Sequence, residues 1–347
     1  MYMKVVIRAD ASADIGSGHV MRCLTLAGQL RKNQGAEVVF VMRELPGNLI
    51  ELAEREGFPV LVLPRAERND ALQGYERWLT VTVEQDAAET LSAVRQHVGM
   101  ADRLVVDSYA LDYRWESHLR PIAGEIMAID DLADRRHDCD ILLDQNFYLD
   151  SDSRYQGLVP DHCRLLLGPE HALLRDEFYE AKKHLRRRDG RIKNILVFYG
   201  GSDLTDETSK AIRALALVHE EAARKMSGTA GGLQENFTVD VIVGQSNLRR
   251  REVERLCSRY DFISYHCQVR NMAEFMNRAD LMLGAGGSTT WERLFLQLPA
   301  LVTAIADNQA QGCHDCSQAG LIEYLGLAED VTAEDLAAAV RKKLFAR

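Results

Sequence analysis

The chain has 347 residues, 46% of them hydrophobic, which is enough for two domains with ordinary buried cores. Its 42 basic and 52 acidic residues leave a net charge of −10 and argue against nonspecific nucleic-acid binding as the main task. No apolar stretch approaches the ~20 residues of a membrane helix. The amino terminus reaches a strand near Val5 without a signal-peptide pattern, so a cytoplasmic protein with no membrane or nucleic-acid partner is expected.

In chain order, β-branched apolar runs predict strands over 4–8, 37–42, 59–63, 103–107, 125–129, 140–143 and 164–167. Amphipathic stretches near 19–33, 47–56, 86–98 and 114–121 fill the gaps, the pattern of βα units on a parallel sheet. Residues 64–85 read as a loop with short helical pieces. A charged helix is expected over 174–190, ending at Asp189-Gly190 as a linker. The alternation then restarts, with strands over 192–198, 237–243, 261–265, 280–284 and 300–304. Helices over 206–220, 249–258, 271–278, 289–297 and 308–319 alternate with them, and a glycine-bearing loop is expected over 227–234. The expectation is two Rossmann-like, doubly wound α/β domains with a cleft between them. The first spans 1–173, the linker helix 174–190, the second domain 191–330 and a closing helix 331–347.

The first strand ends in Arg8-Ala9-Asp10. A polar turn follows and a helix opens at Gly18 or His19, with Val20, Leu24, Ala27 and Leu30 at helical spacing. His19 is thereby placed beside the carboxyl end of a strand, where open α/β sheets collect ligands. The helix amino terminus disfavours imidazolium, and a neutral histidine suits a general base. A capping or packing histidine is the competing reading.

In the second half, Gly200-Gly201-Ser202-Asp203 follows a strand. Its glycines permit close approach of a ligand, and its hydroxyl and amides suit phosphate. It lacks the third glycine of a dinucleotide fingerprint. Gly286-Gly287-Ser288-Thr289-Thr290-Trp291-Glu292 makes the stronger pattern, because amides and hydroxyls converge where a strand gives way to a helix. Glu292 is placed to accept hydrogen bonds from ribose hydroxyls; a capping box is the alternative. Asn271 and Met272 open another helix and offer backbone groups to a base, or Asn271 simply caps it. Asn308 and Gln309 have amides suited to sugar hydroxyl or acetamido groups. Seven cysteines are scattered along the chain, and only Cys313-His-Asp-Cys316 has motif-like spacing. A structural zinc site would need a second such pair, so reduced thiols and no metal are expected.

Taken together, four fragments resemble one family. They are Arg8-Ala-Asp10 with Gly16-Ser-Gly18-His19-Val-Met-Arg22, Asp130-Asp131 through Asp144-Gln-Asn146, Gly200-Gly-Ser-Asp203, and Gly287 through Glu292. The chain resembles the UDP-2,4-diacetamido-2,4,6-trideoxy-β-L-altropyranose hydrolases of pseudaminic acid biosynthesis, which are similar in fold to two-domain, glycosyltransferase-B nucleotide-sugar enzymes. The resemblance implies His19 as catalytic base, inverting attack of water at the anomeric carbon, and release of UDP without metal or other cofactor. Beside that base, Asp10 and Asp14 are the favoured orienters. Gly18, Tyr109, Asp131, Asn308 and Gln309 complete the expected sugar side. Gly201, Ser202, Asn271, Met272, Gly287, Ser288, Thr289 and Glu292 are the expected nucleotide side. A glycosyltransferase using a UDP-sugar donor is the alternative, and a noncatalytic nucleotide-sugar sensor is a third reading.

Overall fold

A computed structural model describes residues 2–67, 69, 71–226 and 237–345. The loop expected over 227–234 lies outside the described residues. The chain divides into two compact units, Met1–Leu173 and Leu174–Arg347.

The first unit is a seven-stranded, all-parallel sheet of β1 (Lys4–Ala9), β2 (Glu37–Arg43), β3 (Val60–Leu63), β4 (Ala101–Asp107), β5 (Ala123–Ile129), β6 (Ile141–Asp144) and β7 (Arg164–Leu167). Its strand order is β3-β2-β1-β4-β5-β6-β7. Helices α1 (Gly18–Gln34), α2 (Ile50–Arg55), α3 (Val83–His97) and α4 (Tyr113–Leu119) are its crossovers. Successive side chains of a strand point to opposite faces. Val5, Ile7 and Ala9 therefore share one apolar core with Val20, Cys23, Ala27 and Leu30 of α1. Val6 joins the other core with Val83, Ala87 and Val94 of α3.

The same alternation turns Arg8 toward α3, where it is fully buried. There it meets Asp86 at 2.7 Å and Asp10 at 2.7 Å, while Arg43 also reaches Asp86 at 2.7 Å. Trp115 Nε1 donates to Asp86 as well, at 3.0 Å. Burial alone would raise the Asp86 carboxyl, but the two guanidiniums hold it down to about 2. This knot ties the carboxyl ends of β1 and β2 to α3.

The second unit contains α5 (Asp176–Lys183), β8 (Asn194–Phe198), α6 (Glu207–Met226), β9 (Thr238–Val243), α7 (Arg250–Cys257), β10 (Ile263–Cys267) and α8 (Met272–Arg278). It continues with β11 (Leu281–Ala285), α9 (Thr289–Phe295), β12 (Ala300–Ala304), α10 (Asp307–Gln318), β13 (Glu323–Leu327) and α11 (Ala333–Phe345). Its parallel sheet runs β10-β9-β8-β11-β12-β13. Leu336, Ala337 and Val340 of α11 share a core with Ile212 and Leu215 of α6.

Two elements depart from the expected map. The helix expected over 174–190 covers only Asp176–Lys183 and lies in the second unit. The closing helix, expected over roughly 332–345, runs Ala333–Phe345. Strand β13 escaped the sequence reading, because Gly326 interrupts Glu-Tyr-Leu-Gly-Leu and weakens its strand pattern. It pairs at the sheet edge with an irregular register between Val302 and Thr303.

Candidate active site

Each sheet reverses its strand order at one place, and ligands of open α/β sheets collect outside the carboxyl ends of the strands there. In the first unit this place lies between β1 and β4, with Ala9 opposite Asp107. The loop after β1 delivers His19 as the second residue of α1, and β4 ends on Asp107. His19 Nδ1 consequently lies 2.6 Å from Asp107 Oδ1. With Nδ1–H donated to the carboxylate, the Nε2 lone pair is left to take a proton.

One turn along α1, Arg22 shares the face of His19. Its Nε donates to Asp107 Oδ2 at 2.6 Å and its Nη2 to Oδ1 at 2.6 Å. Its Nη1 reaches Asp131 Oδ2 at 3.1 Å, so Arg22 bridges the ends of β4 and β5. Burial alone would raise Asp107, but Arg22 and His19 hold it well below the usual carboxylate range. The carboxylate is thus ionised and fully enclosed. The Tyr109 ring meets His19 edge-on at 4.7 Å, and burial, then nearby Asp131, push its phenol upward. Trp78 lies 6.5 Å from His19, and Tyr75 packs on Trp78 at 4.7 Å and on Tyr109 at 5.2 Å. Three aromatic rings therefore stand beside the imidazole.

Asp107, not Asp10 or Asp14, is the partner of His19. Asp10 is spent on Arg8 and on the Arg43 amide, 2.7 Å from its Oδ1. Asp14 is exposed, in a loop whose amides at Asp14 and Ile15 donate to Ser12 Oγ. Gly18 is exposed and opens α1 directly before His19. Asp130 is likewise a frame residue: it pairs with Arg135 at 2.8 Å and accepts from the Ala133 amide. Tyr75, Trp78 and Asp107 were missed by the sequence reading. The acid closing an apolar strand run was the available signal for Asp107. The aromatics of Gly74-Tyr-Glu-Arg-Trp78 carried no periodic pattern, since they sit on a 3-10 turn.

In the second unit the switch lies between β8 and β11, with Phe198 opposite Gly284. The loops carrying Gly201-Ser202 and Gly287-Ser288 follow these two strands and so flank it. A Cβ on Gly244 would fall 2.5 Å from Gly201 O, so the absence of a side chain lets the loop after β9 touch the Gly201 loop. Asp203 caps α6, accepting from the Glu207 and Thr208 amides at 3.0 and 2.8 Å. Ser288 is exposed and makes no side-chain cap, so the capping-box alternative is not formed. Glu292 turns instead to Arg175, 3.2 Å away, and burial raises its carboxyl against the pull of that arginine.

Asn271 makes no side-chain cap either. Its amide bonds Glu274, while Glu177 accepts from the Ala273 amide at 3.1 Å. Met272 is buried, which leaves only its backbone for a ligand. Thr289 is half-buried and begins α9. Gln309 uses its Oε1 to accept from the Ile305 amide at 3.1 Å, and Asn308 beside it is exposed. Cys313 and Cys316 are buried free thiols. Among the described residues no cluster of three His, Cys, Asp or Glu side chains is arranged to hold a metal, and no helix is long and apolar enough to cross a membrane.

Residues 195–346 match the model of the glycosyltransferase family 28 C-terminal domain. Over 308 residues the chain is 25% identical to the UDP-2,4-diacetamido-2,4,6-trideoxy-β-L-altropyranose hydrolase of Campylobacter jejuni, covering 88% of this chain and 93% of that protein. It is 26% identical over 321 residues to an uncharacterized protein of Methanocaldococcus jannaschii, covering 90% of this chain but only 58% of the archaeal one. Among solved structures, MurG of Acinetobacter baumannii superposes with a TM-score of 0.60 at 12% identity, over 99% of this chain and 90% of that one. The chain therefore has the glycosyltransferase-B fold and is a distant relative of a nucleotide-sugar hydrolase.

Proposed function

We propose that this protein hydrolyses a UDP-linked 2,4-diacetamido-2,4,6-trideoxyhexose, the β-L-altro sugar of pseudaminic acid biosynthesis, to UDP and the free sugar. The observation that carries the reading is the 2.6 Å contact of His19 Nδ1 with a buried, ionised Asp107. In this reading His19 Nε2 takes a proton from water as the water oxygen bonds the anomeric carbon. The bond from that carbon to the diphosphate oxygen breaks, its electron pair leaves with UDP, and the anomeric configuration inverts. Asp107 holds the tautomer and offsets the imidazolium charge as it forms, the work of a buried carboxylate behind a histidine base. UDP is a competent leaving group once amides hold its charge, so a second carboxylate acting as acid is not required.

The second unit supplies the nucleotide side. Gly201, Ser202, Gly287, Ser288 and Thr289 are assigned to the diphosphate, Glu292 to the ribose, and the backbone at Asn271 and Met272 to the base. Tyr109, Asp131, Asn308 and Gln309 are assigned to the sugar. The family 28 match over 195–346 favours a second reading, a glycosyltransferase with the same donor and an acceptor hydroxyl in place of water.

The deciding experiment incubates the authentic nucleotide sugar in ¹⁸O-labelled water without acceptor. Label on the free sugar supports the hydrolase. Label on UDP means attack at phosphorus and removes His19 as the base for anomeric attack. No release of UDP favours the transferase.

A further inference from the structure

Arg8, Arg43 and Arg293 are the arginines among the largest fully buried side chains of the described residues. Arg8 and Arg43 both touch Asp86 at 2.7 Å. Arg293 has no such partner. Its Nη1 donates to Ala285 O at 3.0 Å and its Nη2 to Thr290 Oγ1 at 2.9 Å, and Nε is buried without any hydrogen bond. The adjacent carboxylate, Glu292, pairs with Arg175 and attracts Arg293 only from a distance, without a salt bridge. Burial lowers the Arg293 guanidinium to about 10, which leaves it charged at neutral pH. A buried cation without a salt-bridge partner is destabilising, and a neutral side chain of similar volume would avoid that cost.

The position of Arg293 gives the charge a purpose. Its fork joins the last residue of β11 to the first turn of α9, and so braces the turn 286–288 from within the unit. That turn has no side chain at Gly286 or Gly287, and it flanks the switch point. We propose that Arg293 is a positioning residue whose counter-charge is the diphosphate of the bound nucleotide: it braces the turn 286–288 and lends it the positive potential that selects an anion. This inference rests on the nucleotide assignment made above. It adds that the second unit discriminates by charge, through a residue that does not itself touch the ligand.

The test measures UDP and uridine affinities by calorimetry on the full chain, for wild type, Arg293→Lys and Arg293→Met. The expected result for Arg293→Met is a UDP affinity lower by roughly tenfold or more, with uridine within about twofold. Its unfolding temperature without ligand should be unchanged or higher. Arg293→Lys keeps the charge and shortens the fork, so it should retain most of the wild-type ratio of UDP to uridine affinity. A UDP-to-uridine ratio that falls by roughly tenfold or more in Arg293→Lys, where the charge is kept, would show that the charge does not set the discrimination and would overturn the proposal, even if Arg293→Met does not fold. Unchanged UDP affinity in Arg293→Met overturns it as well. Wild type that binds uridine and UDP equally sinks the diphosphate assignment itself, whereas wild type that binds UDP tightly but hydrolyses no sugar nucleotide leaves the inference standing.

Discussion

Asp107 Oδ1 lies 2.6 Å from His19 Nδ1 although 88 residues separate them, because β1 and β4 are neighbours at the strand-order reversal of the first sheet. The carboxylate also receives Arg22 in a two-pronged contact. Asp107→Asn would preserve the shape of the pocket but offer the imidazole an amide. Turnover should fall by roughly 10²–10⁴-fold, the usual worth of a positioned base, and His19→Ala should do at least as much. UDP affinity should stay close to wild type in both. Full turnover in Asp107→Asn would detach this pair from the chemistry.

For Glu292, the assigned ribose contact predicts a preference for UDP over 2′-deoxy-UDP. A hydrogen bond to a charged group is worth about 1.5–3 kcal/mol. Glu292→Gln should weaken UDP and erase most of the preference. A variant that loses turnover with unchanged nucleotide affinities would contradict the assignment.

Asp86 is the common acceptor for Arg8, Arg43 and Trp115 in the first unit. Asp86→Ala leaves two buried guanidiniums short of a counter-charge, a change that costs about 3–5 kcal/mol. Urea unfolding should register that loss. A midpoint equal to wild type would mean that Asp10, 2.7 Å from Arg8, and Glu89, 2.7 Å from Arg43, suffice.

His137 is clamped by Glu116, 2.7 Å from Nδ1, with Asp130 3.8 Å from Nε2. Burial alone would lower its pKa, but Asp130 and Glu116 raise it from 6.5 to about 9. A folded value above the unfolded one means that the contribution is whole below about pH 6.5 and is lost as pH rises through about 9. Wild type should lose stability across that window by an amount on the order of a few kcal/mol. His137→Gln should be less stable at pH 6 and flatter toward pH 9; parallel curves would rule out the clamp.

Gly286 lies against Cys313: a Cβ there would sit 2.1 Å from the thiol sulfur. Gly286→Ala must therefore move the turn 286–288 or α10. The substitution should weaken UDP binding, and adding Cys313→Ala should recover part of the loss, because the two side chains contest one space. Equal affinities for Gly286→Ala and wild type would place the nucleotide elsewhere.

Periodicity made most of the architecture legible. Val5, Ile7 and Ala9 alternate with Val6 and Arg8, while Val20, Leu24, Ala27 and Leu30 follow helical spacing. Both signals are local and survive without knowledge of neighbours. Weakly patterned pieces were not legible, as β13 with its glycine and the 3-10 turn carrying Tyr75 and Trp78 illustrate.

The sequence by itself determined two parallel α/β sheets, placed His19 at a helix start after β1, and set glycine turns after β8 and β11. Tertiary structure decided who partners whom. Asp10 and Asp107 both stand at strand ends, and nothing local distinguishes them. Strand order brings Asp107 to the imidazole, while the pleat turns Arg8 toward Asp86 and leaves Asp10 to complete that buried knot. Arg293 reads as an ordinary helix cation until packing encloses it without a carboxylate in salt-bridge contact. Pairing across a sheet depends on contacts between residues far apart in the chain, and short-range patterns do not encode them.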